Sequence, residues 1–204
     1  NPASTGTLNL NSGSKSVTLT GSSSDVAAAL TGITAYTGTV RLSTDHTLDQ
    51  LKIINPASTG TLNLKHGAKS VALSGDTADI KAAVAGISAY TGNVNIVDTA
   101  DDVILASDIN TIDGSATGTI TIDNQIILKG DSDVVQTALA AVTNTGQAKI
   151  TLDDAHTLPE LKAINNATTG AITLNTKSVT LSGSASDVAA ALTGITAYTG
   201  TVRL

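Results

Sequence analysis

Apolar and polar residues alternate in short bursts along this chain, and each burst follows a Thr-Gly step. In "TGTLNL" Leu8 and Leu10 share one face while Thr7 and Asn9 share the other, the period of two expected for a half-buried strand. The same box recurs at 37–42, 59–64, 91–96, 117–122, 145–150, 169–174 and 199–204, with its glycine at 6, 38, 60, 92, 118, 146, 170 and 200. Glycine ahead of each strand permits a tight corner at positive φ. Between boxes the period changes to that of a helix. Val26, Leu30 and Ile33 fall at i, i+4, i+7, as do Ile80, Val84, Ile87 and Val188, Leu192, Ile195. Leu48, Leu51 and Ile54 in "TLDQLKIIN" fall at i, i+3, i+6. Residues 22–25 and 76–79 supply N-caps and first-turn carboxylates. Thr157 and Glu160 form a capping-box pattern around Pro159, and Asn55 and Asn165 sit where a left-handed C-cap is expected. Further β-like runs occur at 15–21, 69–75, 126–130 and 177–183.

Longer identities overlie this pattern. "NPASTGTLNL" occurs at 1–10 and again at 55–64, and "SDVAAALTGITAYTGTVRL" at 24–42 and again at 186–204. Such repetition predicts an α/β repeat solenoid: about eight stacked coils of 22–32 residues, forming four long repeats over 1–54, 55–112, 113–164 and 165–204, the last incomplete. The Thr-Gly strands would form a parallel sheet with short helices between them, in one continuous array over 1–204. Two alternating helix columns would reconcile the roughly 4.8 Å spacing of strands with the roughly 8–10 Å needed by packed helices. A parallel β-helix with few helices is the alternative. Both chain ends fall inside a repeat, so the chain reads as an excerpt of a longer array.

Composition narrows the picture. The chain of 204 residues has no Cys, Met, Trp or Phe and only three Tyr (Tyr36, Tyr90, Tyr198), yet 41% of it is hydrophobic and 14% charged. Small aliphatic side chains suit narrow cores built in thin layers. Without Cys there are no disulfides, thiolate metal sites or Cys nucleophiles. A net charge of −6 with eleven scattered Lys and Arg argues against nucleic acid and anionic membranes as partners. No apolar run is long enough to insert across a bilayer.

Candidate chemistry is thin. His46 and His156 occupy equivalent corners and read as surface residues, since no ligand or catalytic grouping surrounds them. Asp98, Asp101 and Asp102, with Asp45, Asp153 and Asp154 at related corners, are weak candidates for Ca²⁺, a hard cation that prefers such oxygens. Neither an EF-hand loop nor a glycine-rich nonapeptide accompanies them, and no cofactor is otherwise expected. Asn166-Ala167-Thr168 matches a glycosylation sequon. The threonines before each box glycine could form a flat row for ice or glycan, but Asn93, Gln147 and Ala171 break the second column. No clustered catalytic residues interrupt the repeat, so an enzyme is not expected.

The stretch "LASDINTIDGSATGTITI" (105–122), followed by "GDSDVVQTAL", resembles repeats of the giant repetitive cell-surface proteins of cyanobacteria and other aquatic bacteria. That resemblance implies an extracellular or cell-surface, elongated, noncatalytic protein, and it carries no site residues with it. Two roles follow as expectations. One is a structural module of a secreted or surface-anchored fibre, filament or surface layer, joined end to end through open strand edges, with copies of itself or adjoining repeats as partners. The other is an adhesin or glycan-binding module, which calls for an exposed aromatic column.

Overall fold

The structure, a computed structural model, describes residues 16–204. The readings made above for the first fifteen residues (the box at Thr5-Gly6, the strand at Leu8 and Leu10, the "NSGSK" link) lie outside the described residues. Helices and strands alternate in the order β1 (Leu19–Gly21), α1 (Ser23–Leu30), β2 (Val40–Leu42), α2 (Leu48–Ala57), β3 (Leu62–Asn63), β4 (Leu73–Gly75), α3 (Thr77–Val84), β5 (Val94–Ile96), β6 (Val103–Leu105), α4 (Ala106–Ser115). They continue with β7 (Ile120–Ile122), β8 (Ile127–Gly130), α5 (Ser132–Ala141), β9 (Lys149–Leu152), α6 (Leu158–Ala167), β10 (Ile172–Leu174), β11 (Leu181–Ser182), α7 (Ala185–Leu192) and β12 (Val202–Arg203).

The fold is α/β, but it is not the predicted solenoid. The strands do not join into one sheet of Thr-Gly strands. They are divided among separate parallel sheets of two to four strands. Every described sheet contains a Thr-Gly strand paired with a strand of the other kind: β2 beside β1, β5 beside β4, β9 beside β8, β12 beside β11. Helices do not form two independent columns either. Successive helices pack directly, α2 between α1 and α3, and α6 between α5 and α7. The alternative of a β-helix with few helices fails as well, because seven α-helices account for much of the core among the described residues. Strands of two to four residues contribute few ladder bonds each, so side-chain packing from the helices dominates and the sheets stop after a few strands.

The chain divides into two compact units. Among the described residues the first comprises 16–96 with Thr111–Thr119, and the second Val97–Asn110 with Ile120–Leu204. In the first, β1, β2 and β3 pair in parallel with Leu19 opposite Val40 and Val40 opposite Leu62. A core of Val26, Leu30, Tyr36, Val40, Leu42 and Ile54 fills the layer between this sheet and helices α1 and α2. In the second, β6, β8, β9 and β10 make a four-stranded parallel sheet with Leu128 opposite Ile150 and Ile150 opposite Ile172. Strand β6 and helix α4 lie in a stretch where the repeat departs from its pattern. Ile109 and Ile112 of α4 are nonetheless fully buried, at the i, i+3 spacing of a helix face.

Capping follows the sequence closely. Ser22, Asp76 and Ser184 each accept from the backbone N–H three residues on, and Thr47–Gln50 and Thr157–Glu160 form complete capping boxes. The helix ends do not follow it. Asn55 and Asn165 are not C-caps: α2 runs on through Pro56 to Ala57, and α6 runs to Ala167. Each asparagine is used sideways instead. Asn55 Nδ2 donates to the carbonyls of Ala82 and Ala85 at the end of α3, at 3.0 and 2.9 Å. Asn165 Nδ2 donates to Ala190 and Thr193 at the end of α7, at 2.7 and 2.9 Å. These carbonyls lack partners within their own helices, and the neighbouring helix supplies the donor.

Candidate functional site

Among the described residues the box glycines are not left-handed, and positive φ among the glycines is confined to Gly32, Gly67, Gly86 and Gly194. The box glycines are required by close approach instead. A Cβ at Gly38, Gly92 or Gly200 would overlap the carbonyl oxygen of Val17, Val71 or Val179, and one at Gly60 would overlap the carbonyl of Gly38. At every described Thr-Gly step except that at Gly146, two backbones touch and leave no room for a side chain.

Just ahead of these steps lies a second constraint. Ala35, Ala89 and Ala197 adopt φ of 54, 55 and 57°, a conformation that costs an ordinary residue about 1–2 kcal/mol. The turn aims the next residue, a tyrosine, at the touching backbone. Tyr36, Tyr90 and Tyr198 each donate from Oη to a valine carbonyl, Val17, Val71 and Val179, at 2.7, 2.6 and 2.7 Å. Tyr36 and Tyr90 are buried. They form no exposed aromatic column on which a sugar ring could stack.

His46 and His156 are likewise buried, not surface corner residues as expected. His46 Nε2 lies 2.9 Å from Tyr90 Oη. Because that hydroxyl spends its proton on Val71, the imidazole must be the donor, which fixes the neutral Nε2–H tautomer. His46 Nδ1 is then a buried lone pair without a partner. Burial pushes the His46 pKa below its ordinary value, against the opposing pull of Asp45. The His156 and Tyr198 rings lie as the His46 and Tyr90 rings do, with centroids 5.9 Å apart in both pairs and interplanar angles of 56 and 55°, but neither nitrogen of His156 has a hydrogen-bond partner. Burial also lowers its pKa, while Asp154 and Glu160 pull upward. Burial raises the pKa of both Tyr90 and Tyr198.

The carboxylates are engaged locally. Asp101 pairs with Lys149 at 2.6 Å, Asp102 accepts from the Thr99 N–H at 3.0 Å, and the backbone carbonyl of Asp98 accepts from Asn124. Asp45 pairs with Lys65, Asp153 with Lys129 and Asn175, and Asp154 accepts from the Ser132 N–H. Among the described residues no three His, Cys, Asp or Glu side chains converge on a common point. No helix of the described chain is long and apolar enough to cross a membrane. Lys52 bridges Asp49 and Asp79, joining α2 to α3, and Lys162 joins α6 to Asp187 in α7. Hydrogen bonding to these lysines holds Asp187 below the usual carboxylate range and Lys52 above the usual amine range.

The Thr rows are spent inward as well. Thr59 and Thr117 donate from Oγ1 to the Tyr36 and Tyr90 carbonyls, Thr145 to Ala167, Thr169 to Gly146, and Thr199 to Lys177. A hydroxyl already donating to backbone has less to offer a ligand. In the second unit, a shallow open groove of about 450 Å³ lies between residues 122–125 and 144–148, with a predominantly amide lining from Asn124, Gln125, Asn144 and Gln147.

Sequence reasoning marked 199–204 as a repeat of 37–42 and as an open strand edge, and within the described residues the two copies have different surroundings. Val40 and Leu42 are 0% and 5% exposed, whereas the identical Val202 and Leu204 are 42% and 82% exposed. β2 has β1 on one side and β3 on the other; β12 has β11 on one side and, among the described residues, no strand on the other. Comparison of the chain with protein-family models, with curated proteins and with solved structures found nothing that matches it.

Proposed function

We propose that this chain is a noncatalytic structural module of a secreted or surface-anchored protein, one that builds a fibre or surface layer by joining like units end to end. The observation that carries this reading is where the repeated polar residues go. The recurrent tyrosines, Asn55 and Asn165, several of the box threonines and His46 bond to a neighbouring segment of the same chain, often to a backbone carbonyl. Repetition here preserves contacts between segments, and a sequence selected for that purpose serves assembly better than chemistry. The likeness of 105–122 to repeats of giant surface proteins supports an extracellular setting for the same role.

The test is immunogold labelling and cell fractionation of the full-length product in the organism that makes it. Label along extracellular filaments or a surface layer is the expected result. Retention of the product in the cytoplasm as dispersed particles overturns the reading.

A further inference from the structure

We infer that the groove between residues 122–125 and 144–148 binds an uncharged polysaccharide, seating one sugar ring beside Gly146 and holding its hydroxyls with the carboxamides of Gln125 and Gln147. Such a ligand comes in addition to the structural role and does not depend on it. The groove exists because one box departs from the others. Val40, opposite Leu19, comes two places after Gly38, and Val94, opposite Leu73, comes two places after Gly92. Ile150, opposite Leu128, comes four places after Gly146. The two extra residues make a loop of 143–148. At Gly38, Gly92 and Gly200 a tyrosine ring fills the space beside the glycine, with a ring carbon 2.9, 2.8 and 2.8 Å from where a Cβ would lie. Asn144 stands in the tyrosine's place before Gly146, and a Cβ at Gly146 meets nothing within 4 Å.

The loop is held from both sides. Asn144 Oδ1 accepts from the Ile122 N–H at 2.8 Å, and its Nδ2 donates to the Ile122 carbonyl at 2.7 Å. Thr169 N–H and Thr168 Oγ1 donate to the carbonyls of Gly146 and Ala148, at 2.9 and 2.6 Å. A site fixed in this way before binding loses little freedom when it is filled. Its lining then selects the ligand. Gln125 and Gln147 are exposed, and their carboxamides bond to no other group of the protein. Each carboxamide offers donors and an acceptor together, which matches a hydroxyl that does both. Gly146 and Ala148 offer bare backbone and a methyl group to the C–H face of a ring. An anion finds no cation in the lining, where Asp123 supplies a carboxylate, and the adjoining Lys149 is paired with Asp101 at 2.6 Å. An added peptide strand is disfavoured as well, because Asn144 already takes both backbone groups of Ile122. Side-chain pockets are lacking too, since the apolar lining residues Ile122 and Ala148 are only 7% and 5% exposed. A shallow, open groove of about 450 Å³ suits a ring within a chain better than a free monosaccharide, which calls for enclosure.

The experiment is titration calorimetry of the purified 204-residue chain with dextran, galactomannan and barley β-glucan, and with dextran sulfate and casein as anionic and peptide counterparts. Saturable binding of at least one neutral polysaccharide is expected. Gln125→Ala and Gln147→Ala are each expected to weaken it about fivefold, the loss of one neutral hydrogen bond. Gly146→Leu is expected to abolish it, because the new side chain takes the place of the ring. Thermal unfolding of the two glutamine variants is expected to match that of the unmodified chain, since both side chains are exposed. Absence of binding to all three neutral polysaccharides overturns the proposal. So does binding that the three variants leave untouched, and so does tighter binding of dextran sulfate or casein. The structural reading survives any of these failures, because it stands or falls on the labelling of cells.

Discussion

His46 donates its Nε2 proton to the phenolic oxygen of Tyr90, which in turn donates to the carbonyl of Val71. This relay buries a histidine, a tyrosine and a backbone carbonyl together, 44 residues apart in sequence at its first step. Removing its central member breaks two hydrogen bonds and leaves a buried N–H and a carbonyl unpaired. Tyr90→Phe is therefore expected to cost about 1–3 kcal/mol. Tyr198→Phe removes one bond and is expected to cost less. Urea denaturation of the two variants at pH 7.5 checks the order.

Acid stability follows from the same histidines. Both have a folded-state pKa below the unfolded value of about 6.5, because burial disfavours the charged form. As pH falls through 6.5 the unfolded chain binds protons that the folded chain does not, so stability decreases and levels off below the folded pKa. Glu160, held low chiefly by the Thr157 N–H, and Asp187, held low by Lys162, lose their contribution only at lower pH, below ordinary values of 4.5 and 3.8. The window between pH 7 and 5 belongs to the histidines. Thermal unfolding is expected to shift downward across it, and the double variant His46→Leu, His156→Leu is expected to flatten that slope.

The asparagines that bridge helices give a third expectation. Asn55→Ala strips two carbonyls at the end of α3 of their donor, and Asn165→Ala does the same at the end of α7. A loss of about 1–2 kcal/mol is expected for Asn55→Ala. Faster hydrogen exchange confined to the last turn of α3 is the accompanying signature. A conventional C-cap would instead have loosened α2.

Glycine substitutions separate close approach from turn geometry. Gly92→Ala would drive a methyl group into the Val71 carbonyl and the Tyr90 ring, and it is expected to destabilise strongly. Gly146 occupies the same place in its box, yet a Cβ there meets nothing within 4 Å. Gly146→Ala is expected to be neutral or to stabilise by up to about 1 kcal/mol. Thermal unfolding of both variants checks the contrast.

Much of the local structure was legible in the residues. The alternation in "TGTVRL" and "TGNVNI" located β2 and β5, the spacing of Ile80, Val84 and Ile87 located α3, and Thr157 with Glu160 located the capping box of α6. These features depend on neighbours a few positions apart. The misreadings all concern partners far along the chain. His46 read as exposed because no ligand or catalytic grouping surrounds it in sequence, and the tyrosine it bonds to comes 44 residues later. Asn55 read as a cap for its own helix, while its amide serves the next one.

By itself the sequence determined strands such as β2 and β5, helices such as α1, α3 and α7, the capping residues ahead of α1, α3 and α6, and the identity of segments such as 24–42 and 186–204. Periodicity and capping are properties of a few adjacent residues, so they survive any arrangement of the whole. Tertiary structure decided that the strands fall into several short sheets, that successive helices pack, and that His46 is buried against Tyr90. Burial depends on which segments come together in space, which residues a few positions apart do not specify.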